Sequence, residues 1–189
     1  MPLCYYIFMK QVLLIHGAPY KDEFYKLGNP TPSNAFWLPW LQKQITLRDE
    51  LCQSLEFPKP YDPNYLDWVS VLEQMKIDEE TILVGHSCGG GFLLRYLSEH
   101  KNLKPKQVIL VAPWIDPEHQ LTTEFFDFEM DQTLPDRIAL HILMSSDDEE
   151  QISSFAIIEQ KLLNAIYHKY TDKGHFLEKE IPEVLKILH

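Results

Sequence analysis

The residues best suited to chemistry lie in the pattern Gly85-His-Ser87-Cys-Gly89, a serine with glycine two residues before and two residues after it. Residues 81–84 (TILV) predict a buried strand that leads into the pattern, and helical spacing follows it to about residue 100. A serine on such a strand-to-helix turn projects its hydroxyl above the sheet, and glycine at the flanking positions lets the backbone pack tightly. The pattern therefore predicts a nucleophilic serine, Ser87.

The same turn has two other interpretations. A glycine-rich turn between a strand and a helix also binds phosphate, but neither a GxGxxG nor a GK[ST] sequence is present to support that use. The thiol of Cys88 is a minor alternative nucleophile, because the tip of the turn itself holds serine.

A serine hydroxyl is a weak nucleophile, so it needs a general base that is in turn held by an acid. In strand–turn–helix sites of this kind the chain order is serine, acid, histidine. His175 fits as the base, because it follows the last predicted strand and Gly174 allows the turn that would deliver its imidazole. Of the other histidines, His16 and His86 flank the predicted site and are candidates for substrate contact. The remaining five are predicted to be structural or exposed.

The acid is expected just after the strand predicted at residues 138–144, where the sequence reads SSDDEE. Asp148 is the first choice, Asp147 the second and Glu150 the third. Consecutive carboxylates also suit a solvated loop at a helix N-terminus, where negative charge is favourable. Both interpretations hold together if one carboxylate is catalytic and the others are solvated.

An oxyanion hole needs two backbone N–H groups aimed at the developing negative charge. One is expected from Cys88, the residue after the serine, and the other from Ala18 in the loop after the first predicted strand. Cys88 is thus chosen for its amide and not for its thiol.

The elements that must position these residues alternate between short β runs and helical stretches. Strands are predicted at residues 11–16, 51–57, 81–84, 107–112, 138–144 and 165–170, and helices at 36–51, 65–76, 88–100, 153–163 and 182–188. This alternation predicts an α/β fold with a mostly parallel sheet of five or six strands and helices on both faces. Residues 18–34 and 113–135 stand outside the rhythm and follow strand ends, so we expect them to wall or cover the site, with Trp114 near the substrate.

Composition narrows the function classes. The chain has 189 residues, which suits one domain, and 28 acidic against 17 basic residues give a net charge of −11. That charge argues against binding to nucleic acid or to an anionic membrane surface. Three widely spaced cysteines without a CxxC pair argue against a disulfide framework or a zinc site and favour the cytoplasm. No targeting segment is predicted, and residues 1–8 are interpreted as a dispensable extension.

Several segments, in chain order from residue 11 to about residue 178, carry a family resemblance: VLLIHG, WLPWLQK, PKP with LDWV, TILVGHSCGG, VILVAPW, SSDD and GHF. They are similar to the small serine hydrolases typified by retinoblastoma-binding-protein-nine. The resemblance implies a compact α/β-hydrolase fold without a large cap domain. It also implies a triad of Ser87, Asp148 and His175, and it places Trp37 near the site.

The chain departs from the family pattern in two places. The segment between Gly17 and Trp37 looks longer than in the family, which suggests an extra flap at residues 18–34. After Asp148 the usual D-x-x-V-P continuation is replaced by EEQIS. A shift of two residues would move Glu150 into the place of the acid, so the choice among the three carboxylates stays open.

We therefore predict a serine hydrolase, independent of metal and cofactor, that acts on small esters, thioesters or amides. The alternative is a protein-binding module on the same fold with weak or vestigial hydrolase activity and residues 113–135 as its contact surface. A haloalkane dehalogenase is disfavoured because the tip of the turn holds serine and not aspartate.

Overall fold

A computed structural model of the protein describes residues 10–188. The proposed extension at residues 1–8 and Cys4 therefore lie outside the described residues. The division of the chain into a single domain stays a prediction.

A six-stranded sheet forms the centre of the protein, with all strands parallel and in the spatial order β2-β1-β3-β4-β5-β6. The strands are β1 (Gln11–Ile15), β2 (Leu51–Leu55), β3 (Thr81–His86), β4 (Gln107–Val111), β5 (Ala139–Ser145) and β6 (Ile166–Tyr170). Each strand predicted from the sequence is present within two residues at either end. The predicted parallel α/β architecture is confirmed.

Helices connect the strands. They are α1 (Lys21–Phe24), α2 (Leu38–Thr46), α3 (Tyr65–Leu72), α4 (Cys88–Glu99), α5 (Leu134–Arg137), α6 (Ile152–Lys161) and α7 (Pro182–Ile187). The predicted helix 36–51 is shorter than expected because the chain turns through Asp49, at a φ of 60°, before β2 begins. The predicted helix 65–76 likewise ends earlier, at Leu72. Within residues 10–188, no helix is both long enough and apolar enough to cross a membrane.

The central strands are continuous apolar runs in the sequence because they are buried on both faces of the sheet. Every residue of β3 and β4 is buried, and β1 is buried from its second residue on, because helices cover both faces of the sheet centre. The edge strands β2 and β6 are partly exposed and more polar. The functional residues predicted after β1, β3, β5 and β6 therefore share one rim, the carboxyl ends of a parallel sheet.

The start of α4 packs backbone against backbone. A Cβ atom added to Gly89 would lie 2.4 Å from the carbonyl oxygen of His16, and one added to Gly91 would lie 1.8 Å from that of Trp114. Both distances are far below van der Waals contact, so only glycine fits. This close approach brings the loops after β1 and β4 against the helix that begins behind Ser87.

The two segments that lie outside the alternation of strands and helices differ in how they pack. Residues 18–34 contain α1 and a short 3₁₀ turn at Pro32–Asn34, and several of their side chains, such as Tyr20 and Leu27, are exposed. Residues 113–135 pack onto α4, where Arg95 donates a hydrogen bond to the carbonyl oxygen of Phe125 at 3.0 Å. Phe125 itself is fully buried.

Replacing Gly91 by alanine should destabilise the protein more than replacing Gly90, its neighbour in the same helix. Both changes gain the same helix propensity, but the new Cβ meets the Trp114 carbonyl at 1.8 Å in one case and Pro113 at 3.1 Å in the other. Overpacking of this kind typically costs about 1–3 kcal/mol. Urea unfolding of both variants measures the difference, and a Gly91→Ala variant as stable as Gly90→Ala would contradict the packing described above.

Candidate active site

Ser87 occupies the single residue between β3 and α4, at a φ of 52° and a ψ of −120°. Residues other than glycine rarely adopt this conformation, which costs about 1–3 kcal/mol. The turn is held because the Ser87 N–H donates to the Val111 carbonyl at 2.9 Å, while the Ser87 carbonyl accepts from Gly90, Gly91 and Trp114 at 2.9–3.1 Å. Ser87 is 9% exposed, so it is largely buried but still reaches the surface.

The loop after β1 lies directly against this serine. A Cβ atom added to Gly17 would be 3.1 Å from the Cβ of Ser87, so the backbone at Gly17 lies against the Ser87 side chain. Cys88, on the other side of Ser87, is buried and is the first residue of α4, where backbone N–H groups have no partner within the helix. The two predicted oxyanion donors, Ala18 and Cys88, thus belong to backbone that borders the serine.

His16 binds the backbone of the same loop through a hydrogen bond. Its ring is buried, its Nε2 accepts the N–H of Phe57 at 3.1 Å, and its Nδ1 therefore carries the hydrogen that it donates to the Gly17 carbonyl at 2.7 Å. Burial lowers the pKa of His16, so the ring stays neutral in this arrangement. His16 is a buried support of the Gly17–Ala18 loop and has 1% of its surface exposed.

His175 and Asp148 meet at the rim of the sheet. The Nδ1 of His175 lies 2.7 Å from Oδ2 of Asp148, a carboxylate that is 4% exposed, whereas the imidazole is 22% exposed. The His175 ring centre is 5.0 Å from that of His86, the residue directly before Ser87. The loop after β6 therefore brings His175 close to the residue that precedes Ser87, and Asp148 binds the Nδ1 of its imidazole.

The neighbouring carboxylates have other surroundings. The exposed Asp147 accepts a hydrogen bond from the Gly174 N–H at 2.9 Å and another from the Ser145 hydroxyl, and these bonds lower its pKa. Glu150 is exposed and lies in the short 3₁₀ turn Glu149–Gln151. Of the three carboxylates that the sequence left open, Asp148 is the one that contacts His175.

His86 and Trp37, both predicted near the substrate, are 3% and 0% exposed. The Nε2–H of His86 donates to the carbonyl oxygen of His175 at 2.9 Å, and the indole N–H of Trp37 donates to the carbonyl oxygen of Phe176 at 3.0 Å. Both side chains are therefore buried and bound to the backbone of the loop that carries His175.

The partly buried Trp114 packs its ring edge-to-face against Phe126 at 5.4 Å, and its backbone N–H holds the serine turn. Sequence reasoning missed Phe36, which is 48% exposed, has a φ of 53° and lies 6.3 Å from the His86 ring. Its position before the Trp37 of the family pattern is the signal that would have found it.

Across the described part of the chain, no three histidine, cysteine, aspartate or glutamate side chains are grouped as metal ligands would be. The expectation that the protein uses neither metal nor cofactor stays a prediction.

A family model described as serine hydrolase matches residues 28–183. YdeN of Bacillus subtilis (strain 168) is 31% identical over 179 residues, which cover 90% of this chain and 88% of YdeN. The chain belongs to the serine hydrolase family. The family predicted from the sequence segments is confirmed.

Other comparisons agree with this assignment. Serine hydrolase RBBP9 of Rattus norvegicus is 23% identical over 159 residues, covering 80% of this chain and 84% of the rat protein. The crystal structure of the ydeN gene product superimposes with a TM-score of 0.76 at 27% identity over 95% of this chain and 96% of that one. Tomato methylketone synthase I, in complex with 2-tridecanone, matches at a TM-score of 0.62 and 11% identity over 95% and 96% of the two chains, a likeness of fold alone.

Burial of a neutral imidazole gives this serine hydrolase a pH-dependent stability. Burial, with a smaller contribution from the charge of His175, lowers the pKa of His86 from 6.5 to about 3. Between these values the unfolded chain binds a proton that the folded chain does not, so stability falls as the pH falls. His16, whose pKa is also lowered, adds to the same slope.

The variant His86→Gln should therefore lose stability less steeply than the wild type between about pH 6.5 and pH 4. One proton accounts for a slope of up to about 1.4 kcal/mol per pH unit. Urea unfolding at a series of pH values measures the slope, and His119→Gln, at an exposed histidine, is the matched control. Parallel curves for the wild type and His86→Gln would contradict the neutral state assigned to His86.

Proposed function

We propose that this serine hydrolase cleaves small esters, thioesters or amides through an acyl-enzyme formed on Ser87. The observation that carries the proposal is the 2.7 Å contact between the His175 Nδ1 and the buried Asp148 carboxylate, on a loop that reaches the strained Ser87 turn. A carboxylate acceptor keeps the hydrogen on Nδ1, and this leaves the lone pair of Nε2 available as a base.

In the proposed reaction the Ser87 oxygen attacks the substrate carbonyl carbon while its proton passes to Nε2 of His175. The carbonyl oxygen becomes an oxyanion, which the N–H groups of Ala18 and Cys88 stabilise by about 2.7–4 kcal/mol per donor, as in comparable sites. The tetrahedral intermediate then collapses, and the leaving group takes the proton from His175.

Water completes the cycle. It attacks the acyl-serine carbonyl, His175 accepts a proton from it, and the second tetrahedral intermediate expels the Ser87 oxygen, which recovers that proton. In both halves Asp148 holds the imidazole in one tautomer and stabilises the imidazolium that forms. A small-molecule substrate is favoured because Ser87 is only 9% exposed, and the half-exposed Phe36, 6.3 Å from the His86 ring, offers an apolar contact for it. The cytoplasm is the proposed location, since Cys52 and Cys88 are free thiols.

A fluorophosphonate probe should label the wild type and fail to label Ser87→Ala, because the probe reacts with an activated serine. The same chain should hydrolyse p-nitrophenyl butyrate, and His175→Ala should lose that activity. Ser153→Ala, an exposed serine in α6, serves as the control and should be labelled like the wild type. Equal labelling of wild type and Ser87→Ala would refute the proposal and favour a binding module without hydrolysis.

Three amide substitutions test which carboxylate is the acid. Asp148→Asn should lower kcat about 1,000- to 10,000-fold, because an amide donates to the imidazole and favours the wrong tautomer. Asp147→Asn keeps an oxygen acceptor for Gly174 and should lose no more than about tenfold, on the scale of one neutral hydrogen bond. Glu150→Gln should match the wild type. A larger loss in either of the last two variants would reassign the acid.

A further inference from the structure

The sheet alone does not bring His175 to Ser87. Ser87 follows β3 and His175 follows the edge strand β6, with β4 and β5 between them. Neighbouring strands lie about 4.8 Å apart, so the ends of β3 and β6 are separated by about 14 Å. The histidine loop, residues 171–176, must therefore return across two strands, and its position depends on contacts outside the sheet.

Two side chains from the opposite side of the site hold this loop by consecutive backbone carbonyls. The Nε2–H of His86 donates to the carbonyl oxygen of His175 at 2.9 Å. The indole N–H of Trp37, at the start of α2, donates to the carbonyl oxygen of Phe176 at 3.0 Å. A carbonyl oxygen only accepts, so in both bonds the ring nitrogen is the donor.

Both donor side chains are shielded from solvent and restricted in their movement. His86 and Trp37 are buried, and their rings pack edge-to-face at 5.5 Å, so each restricts the movement of the other. Because burial lowers the pKa of His86 to about 3, its ring keeps one N–H and one acceptor nitrogen throughout the neutral range. Phe176, whose carbonyl Trp37 binds, is fully buried and has a φ of 54°, a conformation that needs external support.

The other end of the loop is held separately. The Ser145 hydroxyl accepts the Lys173 N–H at 3.0 Å, and Asp147 accepts the Gly174 N–H at 2.9 Å. Hydrogen bonds thus fix peptide groups on both sides of the His175 Cα, from Ser145 and Asp147 on one side and from His86 and Trp37 on the other.

We propose that Trp37 and His86 are positioning residues for catalysis, which set the imidazole of His175 between Asp148 and Ser87 by binding the carbonyls of His175 and Phe176. This inference rests on the proposed function, since it assigns the two residues an effect on the general base. It differs from a role in substrate contact, which the burial of both side chains disfavours.

The variants Trp37→Phe and Trp68→Phe form a matched pair. Both remove a buried indole N–H from a backbone carbonyl, that of Phe176 at 3.0 Å and that of Pro58 at 3.1 Å. Only the first lies on the histidine loop. Trp37→Phe should lower kcat for p-nitrophenyl butyrate at least about tenfold with KM within about twofold, because small displacements of a catalytic group cost up to about 100-fold. Trp68→Phe should keep the wild-type kcat.

At position 86, His86→Leu removes the donor, whereas the carboxamide of His86→Gln places an N–H near the place of Nε2. His86→Gln should restore kcat to within about threefold of the wild type, and His86→Leu should stay at least about tenfold lower. The acid limb of the kcat/KM pH profile should also shift in Trp37→Phe and His86→Leu, because it reports the ionisable groups that catalysis in the free enzyme requires. A purely structural role would lower the amount of folded enzyme without moving this limb.

Activities are compared per folded molecule, from circular dichroism and the fluorophosphonate-titrated fraction. If Ser87→Ala is labelled like the wild type, the proposed function fails. If labelling depends on Ser87 but Trp37→Phe retains the wild-type kcat and pH profile, or Trp68→Phe loses as much as Trp37→Phe, only the positioning role is overturned. Should His86→Leu not fold, the tryptophan pair decides the question.

Discussion

The site depends on one geometric constraint, the reach of the loop after β6 back across β5 and β4 to the turn after β3. A parallel sheet collects all its carboxyl ends at one rim, but it also fixes the lateral distance between them. Asp148, on the loop after β5, lies part of the way along that path and bonds to the His175 imidazole. The backbone around His175 is held from both sides by side-chain hydrogen bonds, so the ring does not rely on the edge strand for its position.

Strain at Ser87 is sustained by the most buried part of the molecule. The unfavourable φ of this residue is maintained because β3 and the start of α4 are buried throughout and the backbone groups of the turn are paired. Gly85 allows the turn because it has no side chain: a Cβ atom there would lie 2.7 Å from the Gly89 carbonyl oxygen. The free energy from burying apolar side chains in the sheet centre exceeds the strain of one residue, which explains how a serine persists where glycine would be easier.

The sequence predicted much of this arrangement, because the signals involved are local. Continuous apolar runs marked the central strands, and glycine spacing marked the Ser87 turn. The acid is harder to choose from the sequence, because Asp147 and Asp148 are adjacent and chemically identical. Only the fold shows that Asp148 is buried and bonded to His175, whereas Asp147 is exposed and bonded to the Gly174 N–H. The hydrogen-bond partners of Trp37 and His86 are not predictable from the sequence, because both side chains bind backbone carbonyls that are distant along the chain. Every residue has a backbone carbonyl, so no residue type marks the one that is bound.

The three histidines near the site fall into two groups by their burial. His16 and His86 are almost fully buried, burial lowers their pKa, and each acts as a neutral ring that donates to a backbone carbonyl. A neutral imidazole suits this task because it offers one donor and one acceptor in a rigid plane, without the desolvation that a charged group would suffer. His175 differs because its imidazole retains solvent exposure and contacts a carboxylate. The burial of the first two rings therefore supports the proposal that His175 is the residue that transfers protons at this site.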